Sequence, residues 1–395
     1  MHVLHIPSWY PTKNYPFSGI FIKEQIESIA HFARGTSHSV ISWGHEETQF
    51  RIRDPMRFFI NRQDSSAARM LSKSFHNGVN YYSAPSVWWS ERLPMGGVSS
   101  IQASAKKCFL EANVEQSVDI IHAHVGYPAG PIARNLAREA NIPYVITEHM
   151  GLGRVSSYLK NGQPIQEISG AYENASATIA VSNFLKQELS DLGLDVSHVI
   201  PNLVNEERFF PVKKNNSNFI FLLMGALSHG KGIDIFLKAA AKIQSEGLQC
   251  EFWIAGAGPD ERKLRALSEN IGLASSVIWL GNISRDLAPE IFQRSDVFVL
   301  PSRYETFGVV YAEALACGKP VIATKCGGPE DIVSDGDGLL IDRDNPSQLA
   351  DAMLELFYSS SSYCADSIRG RFMDRYSRFS VVSAIDRVYQ EVLGG

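Results

Sequence analysis

The run Ser302-Arg303-Tyr304-Glu305-Thr306-Phe307-Gly308 is followed by Tyr311 to Ala323 and carries two carboxylates, Glu305 and Glu313, eight positions apart. Glu305 stands in a short polar loop after the apolar run Asp296 to Leu300. Glu313 stands inside an apolar helical pattern. The spacing predicts one acid at a strand-to-helix turn and the other roughly two turns into the helix, on nearly the same face. Between them, the backbone N–H groups of Phe307 and Gly308 would open the helix, where an anion is favoured. Acids that bind hydroxyls on either side of a phosphate-binding centre suit a nucleotide sugar.

A second loop fits the same ligand. Gly225-Ala226-Leu227-Ser228-His229-Gly230-Lys231-Gly232 follows the apolar run Phe219–Met224. Its glycines allow close backbone approach, and Lys231 supplies a point positive charge for a diphosphate. Gly281-Asn282-Ile283-Ser284 follows another strand pattern, and backbone groups near Ile283 could hold a nucleobase; a plain loop fits equally well. Ala255-Gly256-Ala257-Gly258-Pro259 lacks the third glycine of a dinucleotide fingerprint and reads as a tight strand-to-helix turn. Glu330, after Gly327-Gly328-Pro329, reads as a helix N-terminal acid.

Toward the amino terminus, Asp119 to Gly126 reads as a strand running into a loop, with His122 and His124 on one side and His124 at the tip. A histidine there can hydrogen-bond a sugar hydroxyl, although a lone histidine is more often a satisfied structural residue. The pair has metal-ligand spacing, but no third ligand is near in sequence. Glu148-His149 ends the next strand pattern. Gly19, at the end of a proline-rich loop, would let the backbone approach a ligand; a plain proline-rich connection fits equally well.

Alternating apolar runs and longer helical patterns must position these groups, which indicates an α/β fold with parallel sheets. Strands are predicted at Met1–Ile6, Ser39–Trp43, Ile120–His122, Tyr144–Thr147, Thr178–Val181 and His198–Ile200, with helices at Gly19–Phe32, Val98–Asn113, Gly130–Ala140 and Asn183–Leu192. The pattern restarts at Phe219–Met224 and continues through Cys250–Ala255, Val277–Leu280, Val297–Leu300 and Pro320–Ala323. Two Rossmann-like domains in tandem follow, residues 1–200 and 201–375, joined by the polar stretch Pro201–Ser217. A last helix spans roughly Phe379–Leu393.

The bulk numbers exclude several classes. A chain of 395 residues exceeds one ordinary core. Net charge −5 argues against a nucleic-acid binder. Five scattered cysteines suit a reduced, cytoplasmic compartment. The amino terminus has no signal-peptide pattern, and no apolar run of about 18 residues is present to span a membrane. Arg51, Arg53, Arg57, Arg62, Arg69 and Lys73 crowd one region with Phe58, Phe59 and Ile60. This region reads either as a peripheral contact with an anionic membrane through 51–73 or as a solvated insertion with a few anchoring aromatics.

Together these segments resemble the retaining glycosyltransferases of family 4, which have the two-domain GT-B architecture. The resemblance runs over nearly the whole chain: Gly19 with Phe21 and Gln25, His122-Ala123-His124, Ala180-Val181-Ser182, Val199 to Asn202, the Gly225–Gly232 loop and the Glu305–Glu313 motif. The last two are specific together. The resemblance implies two Rossmann-like domains facing across a cleft, the first completed by a carboxyl-terminal helix at about 376–395. Lys231 would hold the donor diphosphate, with Gly225 in its loop, and Glu305 the hydroxyls of the transferred sugar. Phe307 and Gly308 would contribute backbone groups and Glu313 would bind the ribose. His124 would lie beside the sugar, and Gly19 would approach the diphosphate. One departure is Ala226, where the family often has arginine, whose fork alanine cannot supply. Lys231 would then serve with backbone N–H groups, or Arg303 would contribute.

The implied reaction moves a hexosyl group from a UDP- or GDP-sugar to an acceptor hydroxyl with retention. A glycan or lipid-linked glycan acceptor in bacterial surface polysaccharide assembly would fit. The nucleotide sugar is a co-substrate, and no metal or other cofactor is expected. The alternatives are a nucleotide-sugar epimerase on the same architecture, a dinucleotide oxidoreductase and a non-catalytic sugar-binding protein.

Overall fold

A computed structural model describes residues 1–45, 71–89, 96–213 and 218–394. The basic segment expected to meet anionic lipid, 51–73, lies outside the described residues apart from Leu71, Ser72 and Lys73. Lys73 is described, and its ammonium pairs with Glu115. Among the described residues no helix is long and apolar enough to cross a membrane.

The chain divides into two compact units, Met1–Leu203 with Val381–Gly395, and Val204–Ser380. In the first, the strands are β1 (His2–Pro7), β2 (Ser37–Ser42), β3 (Ser72–His76), β4 (Val79–Ser83), β5 (Ile120–His124), β6 (Tyr144–Glu148), β7 (Leu159–Lys160), β8 (Gln163–Pro164), β9 (Ala177–Ala180) and β10 (His198–Val199). Eight form one sheet, ordered β10-β9-β6-β5-β1-β2-β4-β3, while β7 and β8 pair as a small hairpin. β1 lies between β2 and β5, so the strand order reverses direction there, and a ligand is expected beyond the carboxyl ends at such a point. Central strands are buried on both faces, as the near-continuous apolar runs require.

In the second unit, β11 (Phe219–Met224), β12 (Cys250–Ala255), β13 (Val277–Gly281), β14 (Val297–Leu300), β15 (Val321–Thr324) and β16 (Gly338–Ile341) are all parallel, ordered β13-β12-β11-β14-β15-β16. Here the switch point falls between β11 and β14. The loops leaving those two strands carry Gly225–Gly232 and Ser302–Gly308.

The carboxyl-terminal helix Arg378–Leu393 packs Val381, Val382, Ile385, Val388 and Tyr389 into one apolar cluster with Val3, Ile29, Ile120 and Val145 of the first unit. Burying these side chains stabilises the unit by about 1.5–3 kcal/mol each.

Several features depart from the sequence reading, the strands β4, β7 and β8 among them. The first sheet is not wholly parallel: β3 runs antiparallel to β4 at its edge. Asn77 and Gly78 join them, both with positive φ, as a two-residue hairpin turn requires. The dipeptide signals that turn, but β3 is exposed along its length and lacks an apolar alternation. β16 was also unforeseen. The run Gly338–Ile341 is short, and Gly338 sits so close to β15 that a Cβ would lie 1.8 Å from the Val321 carbonyl oxygen.

Candidate active site

In the second unit the lysine loop is held in place by backbone packing. Gly225 N–H donates to Ala255 (3.0 Å) and Leu227 N–H to Ala257 (3.0 Å), which ties the loop to the turn after β12. Gly256 has φ 140°, and a Cβ there would lie 1.9 Å from the Gly225 carbonyl oxygen. The glycines of the Ala255–Pro259 turn therefore serve loop-on-loop packing, consistent with a tight turn. Gly232 (φ 68°) begins the helix Ile233–Ser245 and abuts Pro301, whose carbonyl oxygen would lie 1.9 Å from a Cβ. This contact joins the loops after β11 and β14.

Lys231 and Glu305 meet at that junction. Lys231 Nζ lies 2.5 Å from Glu305 Oε1, which also accepts from Ser302 Oγ at 2.8 Å. The Glu305 side chain is 11% exposed and that of Lys231 29%, so a ligand can reach the ammonium more readily. The Glu305 backbone is fixed as well: its carbonyl accepts from Gly328 N–H at 2.8 Å, and Glu305 forms an isolated parallel bridge with Gly327. Gly328 is so close to Phe307 that a Cβ would sit 2.4 Å from the Phe307 Cα. Glu330 accepts from Cys326 N–H (3.1 Å) and Gly327 N–H (2.9 Å), in keeping with an acid at a helix start.

The helix begins later than the sequence suggests. It spans Val309–Ala316, because Gly308 takes φ 93° and has no side-chain cap. Glu313 therefore stands just past the first turn, and Glu305 precedes the helix altogether, so the two acids do not share a helix face. The Phe307 side chain is buried against Tyr376, so only its backbone is available to a ligand. Uncapped N–H groups at Gly308–Val309 keep this end suited to an anion.

Glu313 is buried and pairs with Arg285, whose guanidinium also lies over the Phe209 ring at 5.0 Å. Arg285 was not foreseen. It stands two residues after Ile283, and only the fold brings it to Glu313. Ile283 itself is half-buried in the loop after β13. Arg303, considered above as a substitute phosphate ligand, is bound instead to Asp234 through both terminal nitrogens (3.0 and 2.9 Å) and to Asp344 through Nε (2.7 Å). With its bond to the His229 carbonyl it braces the lysine loop from behind.

In the first unit, Gly19 (φ 62°) starts the helix Ile20–Phe32, and a Cβ there would lie 2.3 Å from the Trp9 carbonyl oxygen. That packing requires glycine whether or not a ligand approaches. His124 ends β5 at the switch point and is buried. The residue after it, Val125, has φ 74°, a strained conformation for a β-branched side chain. His122 and His124 stack at 4.1 Å, on one side of the strand as expected. Glu148 is a structural latch: its oxygens accept from Gly126 N–H, Tyr172 Oη, His149 N–H and Met150 N–H at 2.8 to 3.0 Å. Burial nevertheless pushes its carboxyl above the usual range.

The third histidine, which no local spacing revealed, comes from β1. His5, in register with His122, brings a ring nitrogen so close that single nitrogens of His5, His122 and His124 lie within 4.8 Å of one another. These nitrogens already exchange hydrogen bonds with other groups: His122 with Tyr389 Oη (2.6 Å) and Thr147 Oγ1 (2.7 Å), and His5 with His124 and His38. Burial holds His122 down at about 3 and His5 well below the ordinary imidazole value.

Comparison with known proteins agrees with this architecture. The sequence model described as Glycosyl transferases group 1 matches residues 204–367, and that described as Glycosyltransferase Family 4 matches residues 98–208. An uncharacterized glycosyltransferase of Methanocaldococcus jannaschii is 32% identical over 286 residues, 70% of this chain and 76% of that one. Among solved structures, sucrose-phosphate synthase from Thermosynechococcus elongatus superposes with TM-score 0.73 at 18% identity, covering 100% of both chains. The Anabaena protein HepE, in complex with UDP and glucose, superposes with TM-score 0.70 at 18% identity over 99% of this chain and 100% of that one. With two α/β units of the GT-B kind, both family matches and a relative at this identity, the chain belongs to the family 4 glycosyltransferases.

Proposed function

We propose that this glycosyltransferase moves a hexosyl group from a nucleoside diphosphate sugar, UDP or GDP, to an acceptor hydroxyl with retention at the anomeric carbon. The observation that carries the reading is the Lys231–Glu305 contact beside the uncapped helix start at Gly308. One cation, one carboxylate and a set of free N–H groups form the minimum for holding a sugar diphosphate. The UDP and glucose bound by the Anabaena protein support the donor class. In the reaction, the bond from the anomeric carbon to the diphosphate oxygen breaks and a bond from that carbon to the acceptor oxygen forms. The acceptor proton leaves with the diphosphate or to solvent. Lys231 and the helix start stabilise the charge on the departing diphosphate. Glu305 positions sugar hydroxyls, and Glu313 with Arg285 holds the ribose side. The chain's own residues supply this stabilisation, and no metal or other cofactor is required. A glycan or lipid-linked glycan, as in surface polysaccharide assembly, is the proposed acceptor, reached at a cytoplasmic or peripheral membrane location.

Thermal unfolding with UDP, GDP, ADP and NAD in turn, in the presence of EDTA, tests the donor. A ligand at 100 times its Kd adds about 2.7 kcal/mol, or roughly 5–11 °C for a domain of this size. A shift with UDP or GDP is expected. A shift with NAD alone refutes the reading, and dependence on a divalent ion refutes its metal-free form. Turnover of the donor to an isomer without any acceptor would favour the epimerase.

A further inference from the structure

Three buried imidazoles of the first unit form a hydrogen-bonded row that begins at a threonine. Thr36 Oγ1 lies 2.6 Å from the Ala33 carbonyl oxygen and 2.7 Å from His38 Nε2. His38 Nδ1 lies 3.2 Å from His5 Nε2, and His5 Nδ1 lies 3.2 Å from His124 Nε2. The row ends at His124 Nδ1, which is buried and has no hydrogen-bond partner among the described residues.

The direction of every proton in this row follows from its first bond. A carbonyl oxygen only accepts, so the single hydroxyl proton of Thr36 is committed to Ala33. Thr36 Oγ1 must then accept from His38, whose Nε2 carries the proton. A neutral imidazole has one N–H, so His38 Nδ1 is bare and accepts from His5 Nε2. His5 Nδ1 is bare in turn and accepts from His124 Nε2. The remaining nitrogen, His124 Nδ1, is left as a lone pair. Burial, reinforced by neighbouring imidazoles, keeps the rings neutral: His38 falls to about 4, and His5 and His124 fall well below the ordinary value.

We propose that Thr36, His38 and His5 are positioning residues that lock His124 as its Nε2–H tautomer, so that His124 Nδ1 accepts a hydrogen bond from a hydroxyl of the bound ligand. Identifying that hydroxyl as one of the transferred sugar rests on the transferase reading, whereas the tautomer does not. A buried lone pair left unmatched is costly, so the row selects ligands that carry a hydroxyl at that position over deoxy or fluoro analogues.

Long-range proton–nitrogen correlation spectra of the full chain labelled with 15N-histidine, at pH 7 after dialysis against a chelator, read each tautomer directly. Nε2–H is expected for His38, His5 and His124. Nδ1–H at His5 or His124 overturns the proposal, as does zinc retained at one equivalent, because a metal on His5 and His124 would occupy the nitrogens of their shared bond. Thr36→Val removes the acceptor at the head of the row, whereas Thr36→Ser keeps it. The valine variant should show His124 as a tautomer mixture, with kcat/KM for the donor lower by roughly tenfold; the serine variant should match wild type. A valine variant with an unchanged His124 spectrum also overturns it. If the wild type shows the expected tautomers but turns over no nucleotide sugar, the transferase reading fails while the tautomer assignment stands.

Discussion

Lys231 and Glu305 form the central opposite-charge contact of the candidate site, and each has a separable task. Replacing Lys231 with alanine removes the only lysine or arginine of its loop, and Ala226 offers no cation in its place. We expect Lys231→Ala and Glu305→Gln each to lower kcat by about 10²–10³, the cost of losing one preorganised electrostatic group, with circular dichroism unchanged. Full activity in either would refute the assignment. Arg285 is different because its partner is buried. Arg285→Ala leaves the Glu313 carboxylate short of its counter-charge in a site only 3% exposed, which should cost about 3 kcal/mol in a urea titration. Arg285→Ala together with Glu313→Gln should recover part of that loss. If it does not, the ion pair contributes little and Arg285 acts mainly through the Phe209 ring.

At the scale of elements, the candidate site of the second unit sits where the strand order of its parallel sheet reverses, His124 holds the corresponding place in the first unit's sheet, and glycines at the joints of the second unit let its loops touch. Gly232 is the sharpest case, combining φ 68° with backbone contact at Pro301. Gly232→Ala must both adopt a disfavoured backbone and displace the loop after β14. We expect it to lower nucleotide binding and stability together, by several kcal/mol in denaturant titration. Gly230, whose Cβ position is open, is the control: Gly230→Ala should be close to neutral. Equal effects at both positions would show that the loop-on-loop contact is unimportant.

Across the whole molecule the histidines are unevenly divided. Ten of the eleven lie in residues 1–203, and only His229 lies in residues 204–380. Burial lowers His38 and His45 to about 4 and His122 and His149 to about 3. An unfolded histidine titrates near 6.5, so between that value and about 4 the unfolded state binds more protons than the folded one. The stabilisation is complete above about pH 6.5 and is lost as pH falls, by up to about 1.4 kcal/mol per pH unit for each such ring. Glu148, raised by burial, works in the opposite sense: its contribution is present at low pH and is lost as pH rises through its folded value. One carboxyl does not offset four or more imidazoles. Urea titrations at pH 7 and pH 5, followed by tryptophan fluorescence, should therefore show a first-unit midpoint that drops while the second-unit midpoint moves little. Parallel shifts in both would contradict the assignment of these rings as neutral.

The sequence by itself determined the strand periods, the restart of the α/β pattern at Phe219 and the two specific loops, because apolar periodicity, glycine and lysine placement are local properties. It could not supply contacts between residues far apart in the chain. Arg285 against Glu313 and His5 against His124 depend on which strands become neighbours, and strand order is settled by packing across the sheet rather than by any single segment. The sequence opens the helix at Phe307–Gly308, and the φ of 93° at Gly308 in the folded chain moves its start to Val309. Arg303 fitted a phosphate ligand by type and position in the chain, and tertiary structure gave it to Asp234 and Asp344 instead. A guanidinium pairs with whichever carboxylate the fold brings within reach, and that distance is not written in the residues on either side of it.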